Sequence, residues 1–352
     1  MKSQKLRFGL VGTGGIARAY AEAFRKSDSA RLVAVCDIRK DAADLLASGI
    51  EGCSSLCSSE ELIDTVPLDA VVICTPPSTH ETISIQFLRS GIHVLCEKPL
   101  TVGSASAKRM FDVAEATGLH LTMASKFRYV DDVVRAKEYI DSGAIGELIL
   151  FENFFTSKVD MSQRWNSCPE ISGGGVLIDN GTHSLDLTRY FLGPLLNVQV
   201  VEGKRVQGLG VEETVRVFVK STGGAMGNID LSWSINKELE SYINVYGTDG
   251  TIRIGWKESK IKGSADNEWK VFGNGYDKVQ AFTSQIENFS RSVQGLEPLK
   301  ITAADSLASV EAIEAAYYAL RQSQWTVVGK DFGKRPRLQA QVSKRGGVER
   351  LA

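Results

Sequence analysis

Absent from these 352 residues is any apolar stretch long enough to span a bilayer, which argues against a helical membrane protein. Absent too is an excess of charge of one sign. The formal net charge is −1, so no whole-chain field draws the protein toward nucleic acid or a membrane surface. The N-terminal Met1-Lys-Ser-Gln-Lys5 runs straight into an apolar strand and leaves no room for a signal peptide. Cysteine is sparse: six are scattered at 36, 53, 57, 74, 96 and 168. Cys53 and Cys57 are spaced unlike a zinc knuckle and have no histidine near them, so no metal site is expected. Cys36, Cys74 and Cys96 end apolar runs and read as small core residues. All six read as reduced thiols, which points to the cytoplasm. No internal repeat is visible. The length exceeds one ordinary core and predicts two domains.

What is present begins at Leu6. Leu6 to Gly12 reads as a buried strand that breaks into Gly12-Thr13-Gly14-Gly15-Ile16-Ala17, followed by a helix to about Lys26. A second apolar run, Arg31 to Asp37, ends on an acid. This is the order of a dinucleotide-binding unit. Gly12 makes the tight turn, and Gly14 lets the backbone approach a diphosphate. Ala17 lets the helix pack close to the sheet. The helix N-terminus offers N–H groups and partial positive charge. Asp37 falls where a carboxylate can accept from both ribose hydroxyls of an adenosine. It repels a 2′-phosphate, which favours NAD over NADP. Arg39 and Lys40 follow and could hold that phosphate if Asp37 turned away, or be solvated charges.

The alternation continues. A helix is expected around Asp41 to Ala47, then a cysteine- and serine-rich loop. Ser58 and Glu61 can form a capping box for a helix ending near Thr65. Ala70 to Cys74 is a buried strand that stops at Thr75-Pro76-Pro77-Ser78-Thr79-His80, where two prolines hold an open turn. A helix from about Glu81, a strand His93 to Cys96 ending at Glu97-Lys98-Pro99, a helix Ser104 to Thr117 and a strand Leu119 to Ala124 complete a doubly wound parallel sheet over residues 1–125. Ligands bind outside the carboxyl ends of such strands. The glycine loop, Asp37, the Thr75 to His80 turn and the Glu97 to Pro99 turn all sit on that edge.

After Ser125 the pattern changes. A helix near Asp131 to Ser142 leads to a long strand, Glu147 to Phe155, and a helix from Val176 to Phe191. Strands follow in series: Asn197 to Gly203, Thr214 to Lys220, Ala225 to Trp233, Tyr242 to Gly247 and Thr251 to Ile254. This reads as an α+β domain over 126–330 with a largely antiparallel sheet, closed by helices at Val279 to Gln294 and Ala303 to Arg321. The basic segment 331–352 reads as a loose tail.

Ser172-Gly-Gly-Gly175 precedes Asp179-Asn-Gly-Thr-His183. Residues four apart share a helix face, so Asp179 and His183 form a pair. The three glycines could admit a ligand to the helix N-terminus. Histidine can take a proton from an alcohol and return it to a ketone, with a carboxylate beside it orienting the ring or binding substrate. A structural histidine in an i,i+4 salt bridge fits equally well. Lys98, at a strand end and followed by proline, aims at the crevice and can donate to a developing alkoxide. Alternatively it is a loop lysine paired with Glu97.

The glycine loop, Glu97-Lys98-Pro99 and the Asp179 to His183 spacing after a glycine run together resemble the Gfo/Idh/MocA family, over residues from about 6 to 330. The resemblance implies a Rossmann domain followed by a domain on a large, open, mostly antiparallel sheet through which copies form homodimers or homotetramers. It places catalytic roles on Lys98, Asp179 and His183. Cofactor contacts fall on Gly12 to Ile16, Asp37, Ile38, Glu97 and Lys98, with Thr75, Pro76 and His80 bordering the nicotinamide. Lys126 and Arg128 are placed where substrate or cofactor contacts are expected. Arg164, Trp165 and Asn166 lie in the loop before the glycines. Three cations in this region would suit a phosphate or carboxylate on the substrate, or form domain-linking salt bridges. Met123 reads as core. The expected function is an NAD(P)-dependent oxidoreductase transferring a hydride to or from a secondary alcohol of a sugar, cyclitol or nucleotide sugar. A non-turnover NAD- and sugar-sensing regulator and an NAD-dependent glycosidase are the alternatives.

Overall fold

Apolar strands alternating with amphipathic helices build the first layer in the computed structural model, which describes residues 4–330. The expected tail at 331–352 lies outside the described residues. In chain order the elements are β1 (Leu6–Val11), α1 (Ala17–Lys26), β2 (Ala30–Cys36), α2 (Lys40–Ala47), β3 (Ser54–Leu56), α3 (Ser59–Thr65), β4 (Ala70–Ile73), α4 (Pro77–Arg89), β5 (His93–Glu97), α5 (Ser104–Thr117) and β6 (Leu121–Ala124). The strands run parallel in the order β3-β2-β1-β4-β5-β6, the doubly wound arrangement expected. Every residue of β4 is buried, as befits a central strand covered on both faces. The short strand β3 lies in the segment read as a loop, because three residues of Ser-Ser-Leu carry no alternation to detect. Helix α4 starts at Pro77 rather than Glu81: Pro76 is extended, and a proline in the first turn needs no N–H partner. Ser58 accepts from the Glu61 N–H, but the Glu61 side chain reaches back to the Cys57 N–H rather than closing the box.

The second unit opens with a 3₁₀ turn (Lys126–Tyr129), then α6 (Asp131–Asp141), β7 (Leu148–Thr156), α7 (Pro169–Ser172) and α8 (Val176–Leu192). Seven strands follow: β8 (Leu195–Glu202), β9 (Thr214–Ser221), β10 (Met226–Ser232), β11 (Ser241–Gly247), β12 (Gly250–Gly255), β13 (Ser259–Gly263) and β14 (Lys270–Gly273). The described chain closes with α9 (Lys278–Val293), α10 (Ala303–Gln322) and β15 (Thr326–Val327). The nine-stranded sheet has the order β14-β13-β12-β11-β7-β10-β9-β8-β15. It is antiparallel except where β7 pairs in parallel with β10, so it is a mixed sheet. Strands β13 to β15, absent from the sequence reading, are short; β14 and β15 form the two edges of the sheet. Strand β9 alternates buried and exposed residues, the signature of a sheet packed on one face. The packed face lies under α8 and α10. The other face carries Val201, Phe218 and Met226 exposed. Among the described residues no helix is long and apolar enough to cross a membrane.

The last helices do not belong to the second sheet alone. From α9, Phe282, Ile286 and Phe289 enter the core of the first sheet with Phe8, Leu10, Tyr20 and Phe24. The Phe8 and Phe289 rings meet edge-on at 6.1 Å, and those of Tyr20 and Phe282 at 4.6 Å. From α10, Val310 packs on the opposite face of the first sheet while Ile313 and Ala316 pack on the second. A boundary after residue 125 therefore does not coincide with a boundary of packing.

Candidate active site between the two sheets

The glycine loop joins β1 to α1. Gly12 has φ of +93°, and a Cβ there would stand 2.8 Å from the backbone of Cys74 and Thr75, so only glycine fits this turn. Gly14 and Gly15 face open space, with no atom within 4 Å of an added Cβ. The first turn of α1 carries no side-chain cap. This open cradle of N–H groups fits a dinucleotide diphosphate. The Asp37 Oδ2 accepts from the N–H (2.8 Å) and hydroxyl (3.0 Å) of Thr13, and its Oδ1 from the Arg39 N–H (2.9 Å). Burial opposes its ionisation, but these donors outweigh burial and hold the carboxyl below its usual range. Ile38 beside it is almost fully exposed.

A crevice of about 560 Å³ lies between the strand ends of the first sheet and helix α8. Lys98, Lys126, Asp179 and His183 line it, together with Gly15, Ile16, Thr75, Glu97, Arg164, Trp165 and Asn166. The Lys98 Nζ donates to Asp179 Oδ1 at 2.7 Å and to the Asp179 carbonyl at 3.1 Å. The expected i,i+4 pairing of Asp179 with His183 is thus replaced by an ion pair between the two halves of the chain. An ammonium gives a carboxylate a stronger partner than a neutral imidazole does. His183 is held instead by aromatic walls: Phe127 meets it edge-on at 5.0 Å and Phe155 at 6.5 Å. Among the described residues its ring makes no hydrogen bond, and its Nδ1 is buried without a partner. Burial, reinforced by the Lys98 and Lys126 charges, pushes its pKa well below that of ordinary histidine. The ring is a neutral base.

Glu97 does not pair with the Lys98 ammonium. Its oxygens accept from the Tyr20 hydroxyl (2.8 Å) and the Lys98 backbone N–H (3.1 Å). Burial raises its pKa against the pull of Lys98 and Lys126. The Lys126 ammonium lies 5.3 Å above the Phe127 ring and 5.4 Å above that of Phe282. Burial lowers its pKa to about 8, Glu97 opposing and Lys98 assisting.

Several expected contacts lie elsewhere. His80 is inside α4 and fully buried, and its ring bonds the carbonyls of Pro99 (3.0 Å), Leu100 (3.2 Å) and Thr75 (2.8 Å). It fastens two turns together rather than facing a nicotinamide, because α4 begins before it. Arg128 is buried in a bidentate pair with Asp186 (2.8 and 2.6 Å) and does not line the crevice. The glycine run is not a ligand entrance. A Cβ on Gly173 would meet Val102, on Gly174 the Tyr317 hydroxyl, and on Gly175 the Glu212 carbonyl. The Glu212 carboxylate already accepts from the Gly175 N–H (2.9 Å), the Leu177 N–H (3.1 Å) and the Tyr317 hydroxyl (2.7 Å). The glycines are a seam that seats the helix. Cys74, expected as core, is half-buried and lines the crevice. Met123 is core as read.

Sequence reasoning missed Tyr20, Phe127, Phe155, Trp256 and Glu212. Tyr20 shares the buried face of α1 with Ala17 and Phe24, a visible signal. Phe155 lies on the inward alternation of β7. Nothing local marks Trp256 or Glu212, which reach the site through long-range pairing.

Two family models match the chain: residues 6–125 match "Oxidoreductase family, NAD-binding Rossmann fold", and residues 133–253 match the GFO/IDH/MocA C-terminal domain. Inositol 2-dehydrogenase of Rhizobium meliloti is 26% identical over 344 residues, covering 91% of this chain and 98% of that protein. The rhizopine catabolism protein MocA of Rhizobium meliloti is 27% identical over 322 residues, covering 89% and 94%. Levoglucosan dehydrogenase, solved in complex with NADH and levoglucosan, superposes with a TM-score of 0.85 at 21% identity, covering 93% of this chain and all of that one (100%).

Proposed function

From the premise that the chain belongs to the Gfo/Idh/MocA oxidoreductase family, with its NAD-binding Rossmann fold, we propose that it is an NAD-dependent dehydrogenase of a sugar or cyclitol. Its substrate is oxidised at a secondary alcohol, or the ketone reduced. The observation that carries the reading is the meeting of Lys98, Asp179 and the unprotonated His183 in one crevice with the open glycine loop. Bound NAD supplies the hydride acceptor. His183 takes the hydroxyl proton, since its depressed pKa keeps the ring free to receive it. Lys98 donates to the reacting oxygen and stabilises developing negative charge, while Asp179 fixes the ammonium. The aromatic edges of Phe127 and Phe155 hold the imidazole in place. In the reverse direction His183 returns the proton. The ionised Asp37 carboxylate favours NAD over NADP. The names of the inositol and levoglucosan dehydrogenases support the substrate class.

The cofactor half is residues 1–125 and the substrate half 126–330, with α9 and α10 bridging them. The open sheet face with Val201, Phe218 and Met226 supports pairing of copies there as homodimers or homotetramers. Six unbridged cysteines favour the reducing cytoplasm.

The test is NADH formation from a panel of inositols, sugars and sugar acids with NAD and NADP supplied separately. Lys98→Ala and His183→Ala are each expected to lower kcat by about 10²–10⁴-fold. NADH binding, followed by fluorescence, should persist. Unchanged turnover in both variants overturns the assignment.

A further inference from the structure

Lys98 is neutralised by Asp179 at 2.7 Å. A second lysine in the crevice is not matched in this way. Glu97 is the acid on the adjacent strand end, but Tyr20 and the Lys98 N–H occupy its oxygens. Among the described residues the Lys126 ammonium makes no hydrogen bond or ion pair, and lies instead over two phenyl rings. A cation held against rings and partly withdrawn from water is costly unless something compensates it. Arg164, on the loop between β7 and α8, lines the same crevice and also forms no ion pair among the described residues. The site therefore keeps two cations that have no ion-pair partner among the described residues; Glu97 and Asp179 act on Lys126, and Asp160 on Arg164, only through space.

We propose that the substrate carries an anionic group, a carboxylate or phosphate, received by Lys126 within the crevice and by Arg164 at its exposed rim. The proposal rests on the dehydrogenase reading of the same site and narrows its substrate class to acidic sugars, sugar phosphates or their oxidised relatives. The anion completes charge-assisted hydrogen bonds that the protein leaves open. The charges facing Lys126 are Glu97, Lys98, Lys278 and Asp179. With a pKa of about 8, Lys126 loses its charge as the pH rises past that value, and hold on the anion weakens there.

The experiment compares matched substrates that share ring hydroxyls: glucose, glucuronate and glucose 6-phosphate, with myo-inositol as a neutral cyclitol. An acidic member is expected to exceed its neutral counterpart by about 10–100-fold in kcat/KM. The uronate and phosphate arms show which anion is taken. In Lys126→Met, Lys126→Gln and Arg164→Gln the acid-to-neutral ratio falls toward one, mainly through KM. In the wild type the KM for the acid climbs above pH 8. Preference for neutral substrates, or an acid-to-neutral ratio that survives all three substitutions, overturns the proposal. If no member is turned over although NADH binds, the dehydrogenase reading fails. Equilibrium binding of the same panel to the wild-type NADH complex then decides the anion question: acids binding no tighter than neutral members overturn it.

Discussion

The crevice has two walls made on different principles. The wall of the first sheet is built from strand ends: the glycine loop, Thr75, and the Glu97–Lys98 turn. Much of its chemistry is backbone N–H, and the space before Gly14 and Gly15 exists because side chains are missing there. The wall of the second unit is built from side chains on α8 and neighbouring strands: Asp179, His183, Phe155 and Trp256. Their placement depends on a helix seated by Glu212, Val102 and Tyr317. One wall is sensitive to atoms added, the other to atoms removed.

The largest expected effect strikes the second wall. Glu212→Ala removes the acceptor of the Gly175 and Leu177 N–H groups. It should cost about 2–3 kcal/mol in urea unfolding and lower kcat as Asp179 and His183 shift. Glu212→Gln, which keeps a carbonyl acceptor, should retain more of both. Equal losses in the two variants would mean that charge, not seating, matters.

On the first wall, Gly12→Ala and Gly14→Ala separate two kinds of glycine. Gly12→Ala is strained at φ of +93° and crowds Cys74 and Thr75; it should lose about 1–3 kcal/mol of stability without any ligand. Gly14→Ala should change apo stability by less than about 0.5 kcal/mol, yet weaken NADH roughly tenfold or more, about 1.4 kcal/mol. Thermal unfolding with and without NADH distinguishes them. A Gly14→Ala protein that binds NADH normally would erase the contrast.

Two bases of the second unit respond to pH in different windows. His183 has a depressed folded pKa, so below pH 6.5 the unfolded chain takes a proton that the folded site refuses. Its contribution is complete above 6.5 and fades as pH falls. Lys126 behaves alike in a higher window: stability grows as pH rises from about 8 toward 10.5. Urea midpoints across pH should show His183→Gln flattening the acid slope and Lys126→Met the alkaline one. Unaltered slopes would mean that neither group is desolvated.

The smallest expected change in the monomer comes from Phe218→Glu on the open sheet face, within about 0.5 kcal/mol of wild-type stability. Light scattering should nevertheless show smaller particles. An unchanged mass would move the proposed interface elsewhere.

The first wall was legible because its signals are local. Gly12, Gly14 and Asp37 announce themselves within one strand-helix-strand unit, although the crowding that keeps Gly12 a glycine comes from Cys74 and Thr75. The second wall was legible only in part. Asp179 and His183 share a helix face, but their bonding is decided by Lys98, which no spacing on that helix can reveal. Arg128 and His80 are polar residues beside a predicted site; both are consumed by buried partners, Asp186 and three carbonyls. The glycine run carried the right importance and the wrong reason, since its neighbours lie far along the chain in Val102, Glu212 and Tyr317. The parallel pairing of β7 with β10 was hidden for the same reason: strands in series suggest hairpins, and register across an intervening stretch leaves no periodic trace.

Helix α9 carries a consequence for biosynthesis. A ribosome releases Phe8, Tyr20 and Phe24 long before it makes Phe282, Ile286 and Phe289, yet these six pack in one cluster. The nascent N-terminal half must wait with an oily surface uncovered until α9 has been made. Messages cut short before α9 would then yield fragments that chaperones and proteases meet first.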